Sequence, residues 1–136
     1  MSMFGKIPHR GERNMENKIL NNSNKLLHIT GECVSRFEND AKKKEEVDFF
    51  NEVKPAFEEA MKTMNEWKED VLKWRIDARP KYLFPVQIDS TVENFEQLVL
   101  QSFYKDSKPI RFKNMKQSVD YVIEQVIDHI RKESSV

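Results

Sequence analysis

The sequence predicts an all-α protein, an antiparallel up-down-up-down four-helix bundle with a flexible N-terminal tail. Apolar residues recur at three- and four-residue steps through four segments, which is the spacing of one helix face. The links between these segments are short, and short links place consecutive helices side by side in opposite directions. Three glycines and five prolines in 136 residues, with 34% charged residues, are typical of solvated helices.

The longest apolar stripe predicts helix two, around which the other helices pack. Its members are Phe50, Val53, Phe57, Ala60, Met64, Trp67, Val71, Trp74 and Ala78. Asp48 is a suitable N-cap ahead of this stripe, and Pro80 disfavours helical geometry at the residue before it, so the helix should end near Ala78. Pro55 lacks an amide proton. Because the stripe keeps its phase across Pro55, we expect a kinked continuous helix.

Residues 15–136 form the predicted bundle domain, and residues 1–14, which show no periodicity, form the tail. Helix one is predicted from Met15 to about Ala41. Its inward face consists of Ile19, Leu20, Ser23, Leu26, Leu27, Thr30, Cys33, Val34 and Phe37.

Helix three is predicted to begin at Ser90, because Ser90 and Glu93 match a capping box, although Pro85 at a first-turn position would start it earlier. Helix four follows the turn of residues 105–109 and extends to about Lys132. The inward residues of these two helices are Val92, Phe95, Leu98, Val99 and Phe103, then Phe112, Met115, Val119, Val122, Val126 and Ile130.

Composition excludes several classes of protein. No segment approaches the roughly 20 apolar residues of a membrane span, and the N-terminus lacks the apolar core of a secretion signal, which predicts a cytoplasmic protein. Basic and acidic residues number 23 each, and this neutral total argues against a protein dedicated to nucleic acid. Cys33 is the single cysteine, so an internal disulfide and a zinc site with several thiolates are excluded.

The sequence predicts no catalytic residue, no cofactor and no metal site. A carboxylate-bridged metal pair in a bundle needs a Glu-x-x-His step on two helices. The residues three before His9, His28 and His129 are Lys6, Lys25 and Val126. His28 and Glu32 lie one helical turn apart, but such a pair is common on a charged helix. Cys33 lies about 140° around the helix from His28, so the two do not form a nucleophile and base. We therefore predict that the protein is not an enzyme.

The segment 80–94 is the first candidate site. It is an unusually apolar connection followed by a polar helix start, and rigid scaffolds often carry recognition residues on such loops. Its candidate partner-binding residues are Lys81, Tyr82, Gln87, Asp89, Glu93 and Asn94. The alternative is structural: Leu83, Phe84 and Ile88 cap one end of the core, and the polar residues satisfy backbone groups.

The second candidate site is a basic run beside the aromatic residues Tyr104 and Phe112. Its residues are Lys105, Lys108, Arg111, Lys113 and Lys116. Cations interleaved with aromatic rings can bind a phosphate backbone or another anion. The alternative is a solvated helix face that complements the acidic helix two, either within the bundle or across a dimer.

Several short motifs, in this order and spacing, carry a resemblance to a known family. They are Asp48-Phe49-Phe50-Asn51-Glu52-Val53-Lys54-Pro55, Trp67-Lys68, Trp74, Pro80-Lys81-Tyr82-Leu83, Pro85, Gln87-Ile88-Asp89, Thr91-Val92-Glu93-Asn94 and Gln101-Ser102-Phe103-Tyr104. With them, residues from about Lys18 to Ile130 resemble the YppE-like family, small cytoplasmic proteins of Gram-positive bacilli. The resemblance implies a four-helix bundle of uncharacterised role and brings no catalytic residue.

Two functions follow as hypotheses. The first is a non-enzymatic protein-interaction module that docks an unknown protein partner through the segment 80–94, as a monomer or a weak homodimer. The alternative is anion or nucleic-acid binding through the basic run from Lys105 to Lys116. Neither hypothesis requires a membrane or a cofactor.

Overall fold

The computed structural model describes residues 10–43 and 46–134. It contains four long helices, which are α1 (Arg10–Ser35), α2 (Lys54–Ala78), α3 (Pro85–Gln101) and α4 (Pro109–Ser134). A π-helical turn (Arg36–Asp40) and a 3₁₀ turn (Ala41–Lys43) extend α1, and a second π-helical turn (Phe49–Val53) leads into α2. No strand occurs in either described stretch. The predicted all-α bundle is confirmed.

Asp48 caps the π-helical turn that leads into α2, so the helical chain begins at the predicted N-cap. Its carboxylate oxygen Oδ1 accepts a hydrogen bond of 3.1 Å from the backbone N–H of Asn51, and its Oδ2 accepts one of 2.7 Å from the Asn51 side chain. Both hydrogen bonds favour the charged carboxylate, so they lower the pKa of Asp48, and the bond from the Asn51 side chain has the larger effect. The helical chain then continues through Pro55 to Ala78, where Arg79 adopts the left-handed conformation that ends the helix.

The prediction that Phe50 belongs to the buried stripe was wrong, because its side chain is 72% exposed. A π-helical turn contains one more residue per hydrogen-bonded ring than an α-helical turn. Residues before Val53 are therefore rotated out of phase with the stripe that follows. The π turn also suits Pro55, which has no N–H to offer to an α-helical bond.

From Val53 onward the stripe forms one wall of the core. Trp67 is fully buried and Trp74 nearly so, while Phe57 and Ala78 are partly buried. The core is completed by the predicted inward residues of the other helices and by five further residues, Ala41, Leu83, Ile88, Ile123 and Ile127.

Helix α3 begins at Pro85 and not at Ser90, so the predicted start was wrong. Proline is favoured in a first helical turn, where its missing N–H has no bond to lose. Gln87 completes the start, because its Oε1 accepts a 2.8 Å hydrogen bond from the N–H of Phe84. Ser90 and Glu93 are exposed positions inside the helix, so their capping-box spacing has no capping role.

The outer ends of the bundle differ only slightly from the prediction. Helix α1 begins at Arg10, five residues before the predicted start at Met15. Residues 1–9 of the predicted tail lie outside the described residues. Helix α4 contains all six predicted inward residues, and each of them is buried.

Each helix packs mainly against two neighbours, since α1 and α3 both lie between α2 and α4, and α1 and α3 also touch across the bundle. Phe37 stacks on Phe112 with ring centroids 4.5 Å apart, and Thr30 bonds to Asp120. Residue numbers therefore increase along α1 and its continuation in the direction in which they decrease along α4. Such pairing is that of antiparallel helices. It agrees with the up-down-up-down order, which stays a prediction.

Helix α1 and its continuation are joined by side-chain hydrogen bonds to all three other helical segments. The bonds are Trp67 Nε1 to Ser23 Oγ at 2.9 Å, Thr30 Oγ1 to Asp120 Oδ1 at 2.7 Å, and Arg36 Nη1 to Ser102 Oγ, just after α3, at 2.8 Å. Buried polar pairs of this kind are satisfied only in one register of the helices.

Candidate functional site

The turn between α2 and α3 is held in place by side chains from two helices. Leu83 is fully buried beneath it. The carbonyl of Leu83 accepts a hydrogen bond from Arg75 Nε on α2 at 3.4 Å, and the carbonyl of Tyr82 accepts one from Gln125 Nε2 on α4 at 3.3 Å. Tyr82 has a φ of 63°, a left-handed conformation that is uncommon outside glycine. The turn is thus a fixed feature of the fold.

This turn and the start of α3 display apolar side chains to solvent. Tyr82 is 73% exposed and Val86 is 68% exposed, and Phe84 between them is exposed too. Tyr121 on α4, one helical turn before Gln125, is also exposed. We call these four residues, Tyr82, Phe84, Val86 and Tyr121, the apolar corner. The structural alternative was that Leu83, Phe84 and Ile88 cap one end of the core. Leu83 and Ile88 are buried as this alternative predicts, whereas Phe84 is exposed.

The predicted polar residues of the segment 80–94 do not form one cluster. Gln87 caps α3, and Asp89 Oδ1 lies 3.3 Å from Lys68 Nζ on α2. Lys81 and Glu93 are exposed. Asn94 lies on the other side of α3, where this helix faces α4. The segment therefore contributes to two separate surfaces.

A groove runs along the surface between α3 and α4. A cavity of 530 Å³ is lined by Asn94, Lys108, Pro109, Ile110, Arg111, Asn114, Met115 and Ser118. A second cavity of 170 Å³ is lined by Val86, Gln87, Ser90, Thr91, Asn94, Ser118 and Val122. Asn94 and Ser118 line both, so the two cavities are adjacent. We call them together the α3/α4 groove.

The floor of the α3/α4 groove is apolar and its ends are more exposed. Met115 and Val122 are nearly buried, whereas Ile110 at one end is 78% exposed and Val86 stands at the other. Asn94, Asn114 and Ser118 lie along the sides. Their side chains make no hydrogen bond to any residue in the described part of the chain. The groove thus offers an apolar floor with free donors and acceptors beside it.

The structure divides the predicted basic run. Lys108 and Arg111 line the α3/α4 groove. Lys105 and Lys113 are exposed but do not line it. Lys116 forms a salt bridge with Asp120, the residue that also binds Thr30, so it belongs to the contact between α4 and α1. The groove therefore brings together Asn94 of the first candidate site and two cations of the second.

A larger cavity, of 730 Å³, lies between α1 and α2 with Val99 of α3 at its base. Its charged lining includes both signs: Lys25, His28 and Arg36 face the same space as Glu32 and Glu59. His28 Nε2 lies 2.8 Å from Glu32 Oε1. Acidic and basic side chains therefore share this cavity, and His28 and Glu32 pair within it.

The candidate catalytic and metal-binding side chains are not assembled into a site. Cys33 is buried, and this burial raises the pKa of its thiol although Arg36 and Ser102 act in the opposite direction. A thiol of this kind is a weak nucleophile at neutral pH. Over residues 10–43 and 46–134, no three His, Cys, Asp or Glu side chains meet as a metal site requires. No helix in the same residues combines the length and apolarity needed to cross a membrane.

Sequence reasoning missed several residues of the groove and the corner. They are Val86, Ile110, Asn114, Met115 as a lining residue, Ser118 and Tyr121. One signal was available for three of them. Val86, Ile110 and Tyr121 are apolar but fall outside the inward phase of their helices, and an out-of-phase apolar residue predicts an exposed apolar surface.

The fold and the surface define a class of protein, a small all-α four-helix bundle with an open groove along one pair of helices. The chain belongs to the family described as a bacterial domain of unknown function (DUF1798), whose model matches residues 23–130.

Relatives of known sequence and structure agree with this assignment. The chain is 32% identical over 117 residues to the uncharacterized protein YppE of Bacillus subtilis (strain 168), covering 86% of this chain and 95% of YppE. The crystal structure of YppE is similar, with a TM-score of 0.82 at 31% identity over 88% of this chain and 98% of YppE. A protein of unknown function from Listeria innocua has a TM-score of 0.83 over 90% of this chain and 98% of its own; at 20% identity it shows the fold alone. The predicted YppE-like resemblance is confirmed, and no activity comes with it.

Proposed function

We propose that this protein is a non-enzymatic interaction module of the cytoplasm that docks a protein partner through the apolar corner. The single observation that carries this proposal is a turn with exposed Tyr82 and Phe84 side chains around a fully buried Leu83, followed at the start of α3 by exposed Val86. Apolar side chains grouped on a surface mark interaction sites more often than scattered ones do.

The rigidity of the turn supports this function. Arg75 and Gln125 hold two successive backbone carbonyls of the turn, at Leu83 and Tyr82. A preformed surface loses little conformational entropy when a partner binds. Tyrosine is also enriched among the residues that dominate binding energy at protein interfaces.

The non-enzymatic part of the proposal rests on the candidate nucleophile and base. Cys33 is buried with a raised pKa, and the described contacts of His28 are made with Glu32 rather than with a nucleophile. A nucleophilic enzyme needs a base within hydrogen-bond reach of its nucleophile.

Anion or nucleic-acid binding remains a second candidate because of one observation. Lys105, Lys108, Arg111 and Lys113 are all exposed, and none of them pairs with a carboxylate of the described residues. Under this second function, log affinity for a generic polyanion falls steeply with log salt concentration, and charge reversal at Arg111 and Lys113 flattens that slope. A flat profile in the unmodified protein would exclude it.

Site-specific photo-cross-linking tests the docking function. A photo-reactive phenylalanine analogue is placed at Tyr82 in one sample and at Phe50 in another, and each protein is irradiated in cytoplasmic extract. Phe50 is the matched control, since it is aromatic and 72% exposed but precedes α2, whereas Tyr82, 73% exposed, follows it. The two ends of that helix lie about 37 Å apart at 1.5 Å per residue.

We expect a discrete protein adduct from position 82 and none from position 50. Tyr82→Ala should reduce the amount of partner recovered with the protein, and Asp89→Ala should do so only if the partner also reaches the α2 side of the corner. Equal adducts at both positions, or recovery unchanged in the Tyr82→Ala, Asp89→Ala double variant, would contradict the docking function.

A further inference from the structure

We infer that the α3/α4 groove binds an acidic amphipathic helix of a partner protein, an inference that rests on the proposed docking function. Three features carry it. The groove has an apolar floor, unpaired polar side chains along its sides, and cations with no carboxylate in its lining. It also begins at Val86, which is part of the apolar corner, so a partner bound there has a continuous surface to occupy.

The length of the groove fits a helix. Its lining on α4 extends from Pro109 to Val122, which is about 20 Å at 1.5 Å per residue. An amphipathic helix of about 13 residues spans the same distance and presents apolar side chains at i, i+3, i+4 and i+7. Met115 and Val122 are positioned on the floor to receive them.

The charge of the groove selects an acidic occupant. Lys108 and Arg111 line the larger cavity, and neither forms an ion pair with a described residue. Arg111 can bind a carboxylate through two N–H groups, which gives direction as well as attraction. The α1/α2 cavity provides the contrast, because its cations face Glu32 and Glu59 and lack this selectivity.

A protein helix fits the groove better than nucleic acid does. Among the described residues, two cations line the groove, and the remainder of its lining is apolar or neutral. Single-stranded nucleic acid is bound by a basic track with aromatic rings on which bases stack. Within residues 10–43 and 46–134, no aromatic side chain lines either cavity of the groove.

Selection from a phage-displayed library of random peptides, each about 16 residues long, tests the inference on the full chain. We expect the selected peptides to combine apolar residues at helical spacing with Asp or Glu near one end. Their affinity, measured by fluorescence anisotropy, should fall roughly tenfold or more for the Lys108→Glu, Arg111→Glu double variant. Peptides in which Lys replaces each acid should bind that variant more tightly than they bind the unmodified chain.

The Lys105→Glu, Lys113→Glu double variant is the matched control. It changes the net charge equally and lies close by on the chain, but it lies outside the groove lining. We expect less than about a twofold loss of peptide affinity from it. All four substituted side chains are exposed, so both double variants should keep the circular dichroism spectrum of the unmodified chain.

Any of four results would overturn the inference. Selected peptides without acidic residues, or equal losses in both double variants, would exclude a charge-selective groove. Binding of a single-stranded DNA of about 20 nucleotides as tightly as the peptides would assign the cations to nucleic acid. Self-association in sedimentation velocity that Lys108→Glu, Arg111→Glu abolishes would identify a second copy of this chain as the occupant. These results leave the cross-linking at Tyr82 unaffected, so the occupant can be wrong while the docking corner is right.

Discussion

The α1 side of the bundle and the α3/α4 groove differ in how their polar groups are used. On the α1 side, Ser23, Thr30 and Arg36 each bond to a side chain of another helical segment. In the groove, the hydroxyl of Thr91 bonds to the carbonyl of Gln87 within its own helix, at 2.8 Å. The side chains of Asn94, Asn114 and Ser118 bond to no described residue.

This difference separates a surface that fixes the fold from one that is free to bind. Interhelical hydrogen bonds are satisfied in one register only, so they align α1 with its neighbours. Side chains that are not needed for alignment keep their donors and acceptors available. The groove can therefore change its polar residues with little effect on stability, and the α1 side cannot.

Trp67→Ala should have the largest effect on stability. Trp67 is fully buried and donates the hydrogen bond to Ser23, so its truncation removes packing and leaves the hydroxyl without its donor. We expect a loss of about 3–5 kcal/mol in the free energy of unfolding. Urea denaturation followed by circular dichroism measures it.

Two variants test the origin of that loss. Ser23→Ala keeps the indole but removes its acceptor, and should cost about 1–3 kcal/mol. Ile76→Ala shortens an exposed side chain on the same helix and should change stability by less than about 0.5 kcal/mol. If Trp67→Ala cost no more than Ile76→Ala, α2 would not be the helix around which the core is built.

Thr30→Val should have a smaller effect and compares the two regions directly. It removes a buried hydroxyl that bonds to the Asp120 carboxylate at 2.7 Å and keeps the shape of the side chain. The same hydroxyl lies 2.9 Å from the Leu27 carbonyl, but its single proton can serve only one acceptor at a time. Because Asp120 keeps Lys116, we expect a loss of about 1–2 kcal/mol in thermal or urea unfolding.

Thr91→Val is the matched control in the groove. Thr91 is as buried as Thr30, but its hydroxyl bonds only within α3, so its loss should cost less than about 0.5 kcal/mol. Equal losses of unfolding free energy from Thr30→Val and Thr91→Val would contradict the distinction between the α1 side of the bundle and the groove.

Most of the fold could be predicted because helical phase is a local property of the sequence. The stripe from Val53 to Trp74, the Asp48 cap and the end of α2 at Ala78 all follow from residue spacing and the chemistry of Asp and Pro. Phe50 could not be placed correctly, because the π-helical turn that shifts its phase depends on how Pro55 is accommodated. The start of α3 was misassigned because Ser90 and Glu93 have the spacing of a capping box, although both lie inside the helix and neither caps it.

The candidate site was predictable only in pieces. The sequence placed Asn94 and Arg111 in separate candidate sites. They line one cavity because the relative position of α3 and α4 along their axes brings them together. That relative position is set by tertiary packing, for which neither helix carries a local signal. The pairing of Lys116, in contrast, had a local signal that was not used: Asp120 follows it by four residues, whereas Gln117 follows Lys113 at the same spacing.

Val86→Ser with Ile110→Ser should have the smallest effect on stability. Both side chains are already largely in water, so the double variant should unfold within about 0.5 kcal/mol of the unmodified chain. Leu83→Ala is the control, because Leu83 precedes Val86 by three residues but is fully buried, and this substitution should cost about 2–5 kcal/mol. A double variant that unfolds as easily as Leu83→Ala would mean that the groove ends belong to the core. If this double variant kept its stability but bound the peptides more weakly, the two side chains would contribute to peptide binding and not to folding.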